Sequence, residues 1–119
     1  METKTNNLKS KSYSFSIDLL SFVGGLNPTI TNKIIINQLV RSGTSMGANI
    51  VEAQGFASRR EFINFFHIAL KSAYETKYWL YLLLECEKDK KLQIDNFIKE
   101  CEEIAKMLSS SIMTLKGKK

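Results

Sequence analysis

The sequence predicts an all-α protein, an antiparallel up-and-down four-helix bundle, and three observations predict it. Apolar residues recur every three or four positions in four separate blocks, as in helices that each bury one face. The chain has one proline and six glycines, too few for the many turns of an all-β fold. Its 119 residues make one domain, long enough for a single core without metals or disulfides.

The first helix is expected over about residues 11–23, where Phe15, Leu19, Phe22 and Leu26 hold helical spacing; Gly24-Gly25 stops it and Asn27-Pro28 marks the turn. Residues 1–10 read as a flexible basic arm. Thr31 is the expected cap of the second helix, which runs to about Gln54 and ends at Gly55. Ser58, with Glu61 three residues later, forms a capping box that opens a third helix reaching Cys86 or Glu87. The run Glu87-Lys88-Asp89-Lys90-Lys91 is a solvated turn. The fourth helix covers about residues 93–115, before a basic tail at 116–119, so the bundle occupies residues 11–115.

The second helix keeps Gly43 and Gly47 at a cost of roughly 1 kcal/mol each relative to alanine, which calls for close packing of another backbone. On a helical wheel Gln38, Arg41, Ser45, Asn49 and Glu52 fall on one line, opposite an apolar side of Ile35, Leu39, Met46, Ile50 and Ala53. Arg41 and Glu52 lie too far apart to pair, about 16 Å along the axis. Antiparallel pairing about a turn near residue 57 instead brings Arg41 within reach of Glu75, and a bidentate contact suits the guanidinium. Water or a neighbouring subunit is the other way to satisfy this seam.

The fourth helix has a single apolar stripe, from Ile94 through Phe97, Cys101, Ile104 and Leu108 to Leu115, with charges opposite. The third is apolar over well over half its circumference, with Phe62, Phe65, Phe66, Ile68, Leu70, Trp79, Tyr81 and Leu84 spread around it. A helix central to a monomeric bundle is one reading of that excess; a subunit interface, and so a homo-oligomer, is the one it favours.

The stretch Arg41-Ser42-Gly43-Thr44-Ser45-Met46-Gly47-Ala48-Asn49-Ile50-Val51-Glu52-Ala53, followed by Phe62-Ile63-Asn64, Ile68-Ala69-Leu70-Lys71 and Glu75-Thr76-Lys77-Tyr78-Trp79-Leu80, resembles the four-helix-bundle proteins named after intervening sequences in 23S ribosomal RNA. The resemblance covers about residues 12–115. It implies a small bacterial cytoplasmic protein, an up-and-down bundle and a ring-shaped homopentamer, without catalytic activity or cofactor. It also implies kinship to the accessory protein of diversity-generating retroelements, which binds nucleic acid and a reverse transcriptase. The chain departs from that pattern at Phe65, Ser72 and Tyr74, where charged residues are expected.

No enzyme constellation is legible. His67, the single histidine, falls on a polar arc with Asn64, Lys71 and Tyr74 and has no second ligand at helical spacing. Cys86 and Cys101 lack metal or redox spacing and read as reduced packing residues. The longest apolar run, 78–84, is too short for a membrane span, and no leader is visible, so a cytoplasmic protein without a membrane partner is expected.

The net charge of +5 is unevenly placed: +2 in residues 1–12, +4 in 106–119 and −1 between them. In an up-down-up-down bundle the N-terminus, the turn between the second and third helices and the C-terminus share one end. Lys4, Lys9, Lys11, Arg59, Arg60, Lys116, Lys118 and Lys119 would converge there as a site for RNA or DNA backbones. The reading is an accessory scaffold for nucleic acid or a ribonucleoprotein. The alternative is a scaffold whose ligand is another polypeptide, such as a reverse transcriptase.

Overall fold

Thr29 and Ser58 set the starts of the two central helices. In the computed structural model, which describes residues 2–55 and 58–117, and side chains from residue 7, the helices are α1 (Glu2–Gly24), α2 (Ile30–Ala53), α3 (Arg59–Cys86) and α4 (Lys91–Gly117). A 3-10 turn, Lys88–Lys90, joins α3 to α4, and among the described residues there is no strand. Ser58 Oγ accepts from the Glu61 amide at 3.0 Å, which gives the serine half of the expected capping box. The cap of α2 is Thr29 rather than Thr31. Thr29 Oγ1 accepts from the Asn32 amide at 3.0 Å, and Asn32 Oδ1 accepts from the Thr29 amide at 2.7 Å. Thr31 is followed three residues later by Ile34, which offers no reciprocal acceptor, whereas Thr29 meets Asn32.

α1 starts well before the expected residue 11, and residues 2–10 are helix rather than a flexible arm. Leu8 is wholly buried one heptad before Phe15, so the apolar stripe of α1 extends into what reads as a polar tail. At the other terminus α4 carries on through Lys116 and Gly117, while Lys118 and Lys119 lie outside the described residues.

The four helices pack antiparallel in a bundle of 49 × 21 × 19 Å. Its core runs from Leu26, Ile35 and Leu83 past Phe15, Leu19, Leu39 and Leu80 to Leu8, Ile50, Phe66 and Leu108. Phe15 meets Phe97 edge-on at 5.6 Å between ring centroids, and Phe22 reaches the same ring at 5.4 Å, which ties α1 to α4. Between α1 and α2 the close approach is made by the glycines. A Cβ on Gly43 would lie 2.5 Å from Leu19 Cδ2, and one on Gly47 would lie 3.3 Å from Ser12 Oγ.

The two glycines therefore differ in what they tolerate. Gly43→Ala is expected to lower stability by about 1–3 kcal/mol through overpacking against Leu19, despite the better helix propensity of alanine. Gly47→Ala brings its Cβ to 3.3 Å from Ser12 Oγ and to ordinary contact, 3.6 and 3.7 Å, with Ser12 Cβ and backbone carbon, and is expected to change stability by less than about 1 kcal/mol. Urea unfolding of both variants checks the contrast.

Candidate nucleic-acid interface

The antiparallel register gathers the start of α1, the start of α3 and the end of α4 at one end of the bundle. Lys9, Arg59, Arg60 and Lys116 are exposed there. Lys11 is turned to another use: its Nζ lies 3.1 Å from Glu103 Oε1, so it joins α1 to α4. The Lys4 side chain and all of Lys118 and Lys119 lie outside the described residues.

Beside this end a groove of about 750 Å³ runs between α1 and α2. Lys9, Ser10, Ser12, Tyr13 and Ser16 form one wall, and Thr44, Gly47, Ala48, Val51 and Glu52 the other. Gly47 and Ser12 meet at its floor. Tyr13 is 68% exposed and Val51 51%. A helical wheel alone puts Tyr13 off the stripe of Leu8, Phe15 and Leu19, which is the sequence signal for its exposure.

The polar seam divides into a wet half and a dry half. Arg41 and Glu75 are paired, as expected, but the side chains are 58% and 33% exposed. The guanidinium fork falls on Gln38 Oε1, receiving Nε at 3.1 Å and Nη2 at 3.0 Å, while Nη2 also reaches Glu75 Oε2. The expected bidentate contact with Glu75 gives way because Gln38 stands one turn away on the same helix. Trp79 Nε1 also donates to Glu75 Oε2, at 3.0 Å. Deeper in, the hydroxyls of Ser42 and Thr76 lie 3.0 Å apart, and Ser72 donates to Ser45 Oγ at 2.9 Å. Asn49 Nδ2 donates to Ser45 Oγ and to the Ser45 carbonyl. Glu52, on the same helical line, is exposed and belongs to the groove instead. Ser72, buried against Ser45, stands where a charge would be stranded.

On the third helix Phe62, Phe65, Leu70 and Trp79 are partly absorbed by the core, whereas Ile68, Tyr74, Tyr78 and Tyr81 stay about half exposed. Burial, with Asp18 adding to it, pushes the Glu100 carboxyl above its ordinary value, and Lys11 opposes the shift. Burial pushes the Cys101 thiol up to about 12, which leaves it without a thiolate at neutral pH. Among the described residues no group of three or more His, Cys, Asp or Glu side chains is placed to hold a metal ion. His67 is exposed. No described helix is long and apolar enough to cross a membrane.

A family model described as 23S rRNA-intervening sequence protein matches residues 4–110. A crystal structure of a protein of unknown function from the S23 ribosomal protein family, from Bacteroides thetaiotaomicron VPI-5482, has the same fold, with a TM-score of 0.83 and 40% identity over 92% of this chain and 98% of that one. No curated protein matches the chain significantly.

The exposure of the Arg41 pair moves its expected worth into the range of surface ion pairs. Arg41→Ala should lower stability by no more than about 1 kcal/mol. Thr76→Val removes a hydroxyl from a wholly buried pair and should cost roughly 1 kcal/mol or more; thermal unfolding ranks the two. Iodoacetamide at neutral pH should modify Cys86, which is exposed, and leave Cys101 untouched until the chain is unfolded, as read by intact mass.

Proposed function

Since the chain belongs to the 23S rRNA-intervening sequence protein family, we propose that it is a non-enzymatic, homo-oligomeric cytoplasmic scaffold that binds RNA, DNA or a ribonucleoprotein through the basic end of its bundle. The observation that carries the reading is the gathering of Lys9, Arg59, Arg60 and Lys116 at one end of an otherwise near-neutral body. Backbone phosphates are recognised by such a surface without regard to sequence.

The half-exposed Ile68, Tyr74, Tyr78 and Tyr81 support self-association, and a ring, a pentamer by resemblance, would repeat the basic end around one rim. The same side chains favour the second reading, a scaffold for another polypeptide. Salt separates the two, because phosphate contacts give a steep dependence and an apolar contact does not.

Affinity for a mixed-sequence duplex is expected to fall linearly with the logarithm of salt concentration, each phosphate contact contributing a slope of about 0.9. Lys9→Gln, Arg60→Gln and Lys116→Gln together should flatten that slope without changing the oligomer mass read by light scattering. Deleting residues 1–10 is the wrong test, since it removes Leu8 from the core. An unchanged slope in the triple variant would place the binding surface elsewhere, and no binding by the wild type would leave the polypeptide-scaffold reading.

A further inference from the structure

The groove between α1 and α2 holds a lysine and a carboxylate on the same opening, Lys9 and Glu52, and the structure shows no ion pair between them. Elsewhere in the described residues, Lys11, Lys77 and Lys91 each meet a carboxylate, at 3.1, 3.2 and 2.5 Å. Tyr13 follows one turn after Lys9 on the same wall and is 68% exposed. The floor is made of small residues, Gly47, Ala48 and Ser12, and the walls offer the hydroxyls of Ser10, Ser16 and Thr44. Its volume, about 750 Å³, is that of a small-molecule site.

We infer that this groove is a nucleotide site, in which Tyr13 stacks on a base of single-stranded nucleic acid, Lys9 takes the adjoining phosphate and Glu52 accepts from the Watson–Crick edge of guanine. The inference rests on the nucleic-acid reading above and adds a base preference to it. Stacking on an exposed tyrosine is indifferent to which base is present, because every base has a π-face. The carboxylate is not indifferent. It only accepts hydrogen bonds, so it suits guanine, whose N1–H and N2 amino group both donate along one edge. The same edge of adenine places an acceptor nitrogen against it. Ribose and phosphate are left to the hydroxyls and the ammonium, and single-stranded segments are the ones whose bases are free to splay into such a site. A docked helix from another polypeptide would instead have to cover Lys9 and Glu52 while pairing each.

The test uses the full-length protein and two short uridine oligonucleotides with a fluorescent end, one with a single central guanosine and the other with a central adenosine, compared by anisotropy at fixed ionic strength. The guanosine oligonucleotide is expected to bind at least about fivefold tighter. Glu52→Ala should abolish that preference without weakening the adenosine oligonucleotide. Tyr13→Ala should weaken both by about fivefold or more, leaving the oligomer mass unchanged. Equal affinities of the wild type for the two, or a preference that survives Glu52→Ala, would overturn the base-reading groove while leaving salt-dependent binding at the basic end intact. A change of oligomer mass in Tyr13→Ala would assign the groove to a subunit contact. If the wild type binds neither oligonucleotide nor duplex, the nucleic-acid reading falls together with the groove.

Discussion

The close approach of α2 to α3, made by small side chains and their hydroxyls, is the constraint on which the rest of the bundle depends. Ser42, Ser45, Ser72 and Thr76 face one another across the interface. Their hydroxyls are committed within the helices as well, Ser42 to the Leu39 carbonyl at 3.3 Å and Thr76 to the Ser72 carbonyl at 2.7 Å. Ser72 Oγ, by contrast, donates across the interface to Ser45 Oγ, so sliding α2 along α3 would strand it, and a hydroxyl buried without a partner costs about 1–3 kcal/mol. The apolar residues around them, Leu39, Met46, Ala69 and Ala73, would tolerate such a slip far better. Hydrophobic burial thus supplies the driving force for this pair of helices, and the contact of Ser72 with Ser45 favours one register. α1 inherits the position, because Gly43 on the same stretch of α2 is what lets Leu19 come in.

The opposite end of the molecule is closed by one fully buried amide. Asn32 Nδ2 donates to the Asn27 carbonyl at 3.0 Å and to Glu87 Oε2 at 2.7 Å, while Oδ1 caps the Thr29 amide. One side chain therefore binds the loop after α1, the start of α2 and the end of α3 together. Because a carboxylate and a backbone carbonyl occupy both of its donors, the amide is locked in one orientation. The two ends of the bundle are unlike as a result: one is tied by a polar staple and sets its exposed Lys88 and Lys91 against Glu85 and Asp95, and the other carries the exposed Lys9, Arg59, Arg60 and Lys116.

What the sequence made legible follows from where its signals were redundant. The four helices each had a stripe and at least one terminator, and the Arg41–Glu75 pairing followed from counting along two antiparallel helices. The start of α1 was hidden because a single leucine, Leu8, sits among lysines, serines and asparagines, and one apolar residue makes no periodicity. Thr31 and Thr29 are equivalent as isolated capping residues, and only the reciprocal bond with Asn32 separates them. The depth of Arg41 was beyond reach for a different reason. A wheel gives the direction of a side chain but not the height of its neighbours, and small residues on both helices let Ser42 and Thr76 fill the interface while the longer Arg41 and Glu75 reach past it into solvent.

The same small residues account for the groove. Serines at positions 10, 12, 14 and 16 give α1 little side-chain bulk on its flanks, so the helix is anchored through Leu8, Phe15 and Leu19 and leaves space on either side. On the α4 side that space is lined by Asp18 and Glu100, whose like charges add to the burial that raises the Glu100 carboxyl. On the α2 side it holds Lys9, Tyr13 and Glu52. The α4 flank therefore sets two carboxylates against one ammonium, Lys11, which is itself paired with Glu103. The α2 flank holds one of each and adjoins the exposed basic residues, so a phosphate is less repelled there. A helix poor in bulk thus creates two openings, and charge alone distinguishes which of them suits a phosphate.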